Sequence, residues 1–469
     1  MNNKYLAILS LCLLGGSLAV AQDNTARPNV IVMIVDDLGY GDVSCLSNGA
    51  VKTPNIDRLA QSGVKFTSGY VPVPLCGPSR AGFFTGKYPQ RVKFFGNSGG
   101  IPTDLPLLPG ILRNAGYHTG LIGKWHSAGP MPHERGCFDE TLCSPRSSAF
   151  IDYHHPKLAR NGKVEEFKEY STDLFADEAL KFIESNRAKP FSLTVTFNAP
   201  HILKVVKNAG KIRKEYDEGL AAGKIVDVPK APMARLNEAL KYAKQFPGDS
   251  ARADTVATIV ALDEAVGRIL DKLKQTGLDK NTILFFFADN GGHPENRSES
   301  LPLRDYKWTL YEGGIRVPFL AAYPGVFPAG LTFNQPVSSL DIFPTVAALA
   351  GVSPPAGLDG VNLTPFLKGE KTTAPHDALY FRFAGNGAVR QGDWKLVLEP
   401  NGTPHLFDLV KDVEEKHDLA TTQPDRVKDL RAKWQAWNAQ LPFEKKGAAS
   451  GNKKSGEKAS NAEEETSSE

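Results

Sequence analysis

The chain has 469 residues, 41% of them apolar, with 55 Lys and Arg against 52 Asp and Glu for a formal net charge of +3. That length and apolar share suffice for a large core and for two or more packed units. So even a charge balance, with no arginine-rich arm and no zinc-finger spacing, speaks against nucleic acid as a partner.

In chain order, Lys4 precedes an apolar run from Leu6 to Val20 that closes in Ala19-Val20-Ala21, which reads as an export signal over residues 1–21. The mature chain then begins near Gln22. Cys12 is a poor lipid-attachment site, because Leu11 stands where a small residue is wanted. No later run reaches the roughly 20 apolar residues of a membrane span, so the expected product is periplasmic or secreted, soluble and without a membrane anchor.

NVIVMIV, Asn29 to Val35, is a continuous β-branched run suited to a strand buried on both faces. TPNIDRLAQSG follows as a helix, with Thr53 as N-cap, Pro54 at the first helical position and Gly63 as terminator. PLCGPSRAGFFTG then sets Cys76 just ahead of Pro78, a residue suited to the first turn of a helix. Cys76 is therefore expected at a helix N-terminus, where amides and the positive dipole end favour an anion, with Arg80 on the same helix face. Further strands are expected at His118 to Gly123, Phe191 to Phe197, Thr282 to Ala288 and Val317 to Tyr323. Helices fit Ser171 to Asn186, Ala253 to Gly277 and Ser338 to Gly351. This alternation predicts, over residues 22–373, an α/β domain whose large, mixed but mainly parallel sheet is sandwiched by helices.

From about Ala374 the pattern changes to short strands with tight turns, ALYFRFA, GAVRQGDWKLVLE and PHLFDL, followed by an amphipathic helix in QPDRVKDLRAKWQAWNAQL. Residues 374–444 are expected to form a small antiparallel α+β subdomain, and residues 445–469, which lack apolar periodicity, a disordered tail. Past the leader the cysteines are Cys45, Cys76, Cys137 and Cys143, too few to staple the fold. Cys137 and Cys143 are close enough in sequence to pair in an oxidising compartment.

Ligands of an open α/β sheet gather at the carboxyl ends of its strands. There this chain places Asp36-Asp37, Lys124-Trp125-His126, Asn198-Ala199-Pro200-His201 and Asp289-Asn290-Gly291-Gly292. If the first strand and Thr282 to Ala288 are neighbours, Asp36, Asp37, Asp289 and Asn290 converge as an all-oxygen set for a hard cation, Ca²⁺ or Mg²⁺. Taken singly, each pair reads equally well as a helix cap. Cys76 alone reads as well as a buried inert thiol.

CGPSRAGFFTG resembles the C-x-P-S-R signature of the type I, formylglycine-dependent sulfatases, the arylsulfatase-like family of the alkaline phosphatase superfamily. GYHTGLIGKWH, Gly116 to His126, is similar to that family's second signature. The first-strand Asp-Asp, ADNGG, LYEGGIRVP and the carboxy-terminal RQGDWKLV and LFDLVKDVEEKHDL are similar too, in the family's order and over nearly the whole mature chain.

The resemblance implies an alkaline phosphatase-like fold and hydrolysis of a sulfate monoester; a sulfated carbohydrate is the expected substrate class, because an exported, soluble protein without a membrane anchor suits scavenging of sulfated polysaccharides or glycosaminoglycans. It implies that a formylglycine-generating enzyme oxidises Cys76 to Cα-formylglycine, reading a motif that includes Pro78 and Arg80. Ca²⁺, in preference to Mg²⁺, is implied at Asp36, Asp37, Asp289 and Asn290, with the modified Cys76 against it. By the same resemblance Asp289 is the base for the aldehyde hydrate, and Lys124 and Lys307 contact sulfate oxygens. His126 is the base for the elimination, and His201, helped by Lys307, protonates the departing alcohol.

Two departures stand out. The family often has His-x-Pro where this chain reads His201-Ile202-Leu203, and a small Gly-Gly-Lys-Gly run where it reads Arg304-Asp305-Tyr306-Lys307-Trp308. The bulky residues around Lys307 are expected to shape the substrate pocket. His293, Arg297 and Arg304 are candidates to meet a sugar hydroxyl or a second sulfate, the arginines reading equally as solvated loop charges. One rival is a phosphomonoester, phosphodiester or phosphonate hydrolase of the same superfold; Asn290 disfavours it, since similar phosphorus-directed relatives tend to have histidine there. The other is a non-catalytic glycan-binding relative, disfavoured by the full set of Cys76, Arg80, Lys124, His126, His201, Asp289 and Lys307.

Overall fold

A computed structural model of the protein describes residues 27–442, apart from 48, 50, 146–149, 202–233 and scattered positions between 236 and 248. The predicted leader, the predicted tail and the Ile202-Leu203 departure lie outside the described residues. The strand Asn29–Val35 is buried along its whole length because it runs between two parallel partners, Phe191–Phe197 and Thr282–Ala288. Its unbroken β-branched run matches that double burial. His118–Gly123 and Glu140–Cys143 extend the parallel core on one side.

Antiparallel pairings enter the sheet on both sides of this core, although the outermost strand on one side, Leu331–Phe333, pairs parallel with Val64–Phe66. Phe319–Ala322 pairs antiparallel with Thr282–Ala288, a direction the apolar run alone did not reveal, and a hairpin of Lys157–Arg160 and Lys163–Glu166 closes the far side. With Val64–Phe66 and Leu331–Phe333 the sheet reaches ten strands among the described residues. Helices Pro54–Ser62, Ser171–Asn186 and Ser250–Gln275 pack as one group against it, and Cys76–Thr85, Leu108–Asn114 and Ile342–Leu349 as another.

The predicted helix over Ser338 to Gly351 starts later than its apolar pattern. A single 3-10 turn, Ser339–Asp341, comes first, with the Ser338 amide donating to Asp341 Oδ2 at 2.7 Å. Thr53 precedes its helix without capping it; its hydroxyl is taken by Ser44 instead. Cys137 and Cys143 are buried free thiols, as Cys45 is a free one, so no disulfide forms between them. No helix among the described residues is long and apolar enough to cross a membrane.

The C-terminal sheet, Leu379–Phe383, Asn386–Gln391, Trp394–Leu398 and Pro404–Asp408, is antiparallel throughout. Strand alternation splits its residues between two faces. Val389, Leu396 and Leu406 meet Val427 and Leu430 of helix Pro424–Asn438, whereas Phe381, Ala388, Val397 and Phe407 meet Tyr70, Leu310 and Ile315 of the larger unit. Gly387 allows the helix to sit that close, because a Cβ there would lie 2.4 Å from the Trp434 ring.

Candidate active site

Parallel neighbours that end on the same edge deliver their next residues to one place. Asp36 and Asp37 follow the first strand, and the Asp289 amide donates to Val35 O at 2.9 Å, so the ladder continues one step before both chains turn. Asp37 turns at φ 61. Asn290 Nδ2 then donates to Asp37 Oδ1 at 2.7 Å, and all four residues of the two pairs are 0% exposed.

Cys76 opens the helix Cys76–Thr85 and is buried, with Sγ 3.4 Å from Asp36 Oδ1 and 3.8 Å from Asp37 Oδ1. One turn on, Arg80 spans the cluster: Nε donates to Asp289 Oδ2 at 2.8 Å, Nη1 to Lys124 O at 2.9 Å, and Nη2 lies 3.6 Å from Asp36 Oδ2. Lys124 Nζ bonds Asp36 Oδ2 at 2.5 Å. Lys307 Nζ reaches Asp37 Oδ1 at 2.8 Å and Cys76 Sγ at 3.1 Å. Three carboxylates and three cations thus surround one sulfur.

The glycines after Asn290 let the lysine loop in. A Cβ on Gly291 would lie 1.8 Å from Gly313 O, and Gly292 O accepts the Lys307 amide at 3.0 Å.

Three histidines border the cluster. His126 is buried at φ 58 with Nδ1 lacking any hydrogen-bond partner. His201 Nε2 lies 3.6 Å from Asp37 Oδ2. His293 packs edge-on against Trp308 at 4.8 Å between ring centroids and stands 6.3 Å from His201. Its Nδ1 accepts the Glu295 amide at 3.1 Å, which places the proton of the neutral ring on Nε2.

Two residues that sequence reasoning missed hold the His201 turn: Tyr153 Oη donates to both Asn198 O and His201 O at 3.0 Å, and Asn296 Nδ2 to Pro200 O at 2.7 Å. Nothing local in the sequence marks either. Arg297 is exposed, its Nε 3.9 Å from Asp249 Oδ2. Arg304 Nη1 donates to Glu415 O at 2.9 Å, and its guanidinium carbon sits 3.8 Å from the Tyr311 ring centroid. Both arginines thus have partners outside the cluster.

Burial and charge set the protonation states. Burial alone would raise Asp36, but Lys124, His201 and Arg80 more than reverse it and hold the carboxyl well below its ordinary value. Asp289 is pushed up to about 7 by burial and by the charge of Asp36. Burial pushes the Cys76 thiol well up, which keeps it protonated and a poor nucleophile. His126 is held well below its usual value by burial and then by Lys124 and Arg80, and burial brings His293 down to about 3. Lys307 is held well above its ordinary value, because Asp37 and Cys76 outweigh the burial that lowers it.

The donor set fits a hard divalent cation. Asn290 Oδ1 is buried with no hydrogen-bond partner, beside carboxylates that repel one another. A second grouping, Asp36, Asp37, Cys76 and His201, also brings ligand atoms within 4.8 Å of one another and includes an imidazole. The unpartnered amide oxygen favours the oxygen set.

A sequence profile described as Sulfatase matches residues 28–352, and one described as N-sulphoglucosamine sulphohydrolase, C-terminal, matches 304–437. The chain is 31% identical over 414 residues to the N-acetylgalactosamine-6-sulfatase of Mus musculus, covering 78% of this chain and 71% of that protein. Among solved structures it is similar to Ps i-CgsB, with a TM-score of 0.75 and 30% identity over 89% of this chain and 94% of that one. Ps i-CgsB is also described in complex with k-i-k-neocarrahexaose. A further similar structure, described as in complex with its substrate D-glucosamine-2-N,6-O-disulfate, gives a TM-score of 0.71 and 25% identity over 88% of this chain and 98% of that one.

Proposed function

The chain belongs to the sulfatase family, a sulfuric ester hydrolase with the alkaline phosphatase-like fold, and from that premise we propose that it cleaves a sulfate monoester on a sulfated carbohydrate with a nucleophile made from Cys76. The observation that carries this reading is the point at Cys76 Sγ, 3.1 Å from an ammonium and 3.4 Å from a carboxylate. The protonated thiol argues against unmodified cysteine as nucleophile.

Oxidation of Cys76 to Cα-formylglycine by a formylglycine-generating enzyme supplies an aldehyde, and its hydrate offers the attacking hydroxyl. Asp36, Asp37, Asp289 and Asn290 would hold Ca²⁺, which would supply Lewis-acid charge to the site. Asp289 takes a proton at Oδ1, the oxygen that Arg80 Nε does not bond and that accepts the Asp37 amide at 3.4 Å. Lys124 and Lys307 set two ammonium groups against the sulfate oxygens, where negative charge grows in the transition state. His201 protonates the departing alcohol oxygen, helped by the Lys307 ammonium, which its raised pKa keeps charged as a hydrogen-bond donor. His126 accepts the proton whose removal releases sulfate, its unpartnered Nδ1 being the available atom.

The carbohydrate assignment draws on the saccharides named for the similar structures. Nε2–H of His293, beside the Trp308 ring, offers a donor for a substrate hydroxyl. The leader over residues 1–21 delivers the enzyme to the periplasm or beyond the cell.

The test is to produce the chain together with a formylglycine-generating enzyme, measure the aldehyde in the Cys76 peptide by mass spectrometry, and assay sulfate release from defined sulfated oligosaccharides. Release that scales with aldehyde content and disappears in Cys76→Ala is expected. Undiminished release from Cys76→Ser, which holds no aldehyde, would overturn the reading.

A further inference from the structure

We propose that Glu415, in the C-terminal subdomain, is a positioning residue for Lys307 of the catalytic cluster. The loop that carries Lys307 is closed at its base by the Gly313 amide donating to Arg304 O at 2.7 Å. At its tip it is fastened on the catalytic side, Lys307 N to Gly292 O at 3.0 Å and Trp308 N to Pro74 O at 3.1 Å. Two of its non-glycine residues, Asp305 at φ 61 and Trp308 at φ 75, sit in the left-handed region, a conformation that persists only where the surroundings impose it.

At the base, Glu415 supplies the other fastening. Its main-chain oxygen accepts Arg304 Nη1 at 2.9 Å, and its Oε2 accepts the Glu312 amide at 2.7 Å, so one residue grips the loop at both ends. Glu415 is itself fully buried and held at φ 51. Lys395 Nζ, also fully buried, lies 2.8 Å from Glu415 Oε1 and 2.9 Å from Glu312 Oε1, which ties the grip to the C-terminal sheet. With the base released, the strained residues relax and the Lys307 ammonium moves off the position 3.1 Å from Cys76 Sγ. A displacement of about 1 Å at a reacting centre costs about 10²-fold in rate.

This inference rests on the assignment of Lys307 to the sulfate, and two readouts keep the two claims apart. The first is a double-mutant cycle on the aldehyde-bearing enzyme with an aryl sulfate as probe. Glu415→Ala is expected to lower kcat by about tenfold or more with KM changed less, and Glu415→Gln, which keeps an oxygen for the Glu312 amide, to restore most of it. In a Lys307→Ala background the Glu415→Ala effect should vanish; an equal effect in both backgrounds overturns the positioning role. The second readout is hydrogen exchange of peptides spanning 304–312, independent of turnover. Faster exchange there in Glu415→Ala, with helix Pro424–Asn438 unchanged, supports the proposal; unchanged exchange at 304–312 overturns it, even if Lys307→Ala proves inactive. Should Glu415→Ala fail to fold, Arg304→Met and Glu415→Gln are read by the same exchange measurement.

Discussion

Two clusters of buried charge lie on either side of the Lys307 loop, and they leave their polar atoms in different states. Around Cys76, Asn290 Oδ1, His126 Nδ1 and Arg80 Nη2 are buried without a hydrogen-bond partner. Around Lys395, three of the four carboxylate oxygens of Glu312 and Glu415 are hydrogen-bonded: Tyr70 Oη at 2.7 Å and Arg316 Nη1 at 3.2 Å on Glu312 Oε2, Lys395 Nζ at 2.9 Å on Glu312 Oε1, and the Glu312 amide at 2.7 Å on Glu415 Oε2; Glu415 Oε1 has no hydrogen bond but stands 2.8 Å from the Lys395 ammonium. Both clusters perturb their carboxyls. Asp289 and Glu415 are each pushed up to about 7, burial being the main cause for both, and Lys395 with Arg316 brings Glu312 down to about 2 against its burial. A shifted carboxyl therefore does not separate a site from a strut here; the spread of unspent bonding capacity does, over three residues around Cys76 against Glu415 Oε1 alone among the Glu312 and Glu415 oxygens.

The comparison can be broken from either side. Lys395→Met leaves two buried carboxylates without their cation and should cost about 3–5 kcal/mol in urea unfolding while bound metal, measured by mass spectrometry, stays unchanged. A cost within experimental error would remove the strut. Lys307→Ala should reverse that pattern, lowering kcat by about 10²–10³-fold while the melting temperature moves little. Next in size, if the oxygen set holds Ca²⁺ as proposed, Asn290→Leu should abolish the stabilisation that the ion gives, about 2.7 kcal/mol at a hundredfold excess over Kd, as read by thermal melts with and without chelator. If Ca²⁺ raised the melting temperature of the variant as much as that of the parent, the oxygen set would be the wrong one.

The smallest effect concerns a partly buried pair outside both clusters. His376 Nε2 lies 2.9 Å from both Asp341 oxygens, and that carboxylate raises the ring's pKa despite burial. The stability it contributes is fully present below the unfolded value near ~6.5 and is lost as pH rises through the folded one. Urea midpoints of His376→Gln should accordingly vary less between acid and alkaline pH than those of the parent chain, and equal slopes would assign the pair no net contribution.

The convergence of the candidate site was legible because its residues stand at the ends of runs whose pattern fixes them as strands. Asp36-Asp37 and Asp289-Asn290 follow seven-residue strands buried at every position, and adjacency of those strands suffices to bring the pairs together. The glycines beside Asn290 were visible as letters, but the 1.8 Å approach to Gly313 O that requires one at 291 depends on a loop more distant in sequence. Glu415 was least legible. Its sequence neighbours are charged, its φ of 51 has no glycine to announce it, and its partners Glu312 and Arg304 are 103 and 111 residues away. The antiparallel course of Phe319–Ala322 was hidden for a similar reason, since an apolar run of that length fits either direction.

The attachment of the lysine loop to Lys395 and Glu415 bears on the order in which the enzyme becomes competent. A ribosome releases Asp36, Asp37, Cys76, Asp289 and the loop well before those two residues. A chain halted short of them would hold every group of the catalytic cluster and still lack the fastening at the base of its lysine loop, so readiness for chemistry arrives with the last sheet to be synthesised.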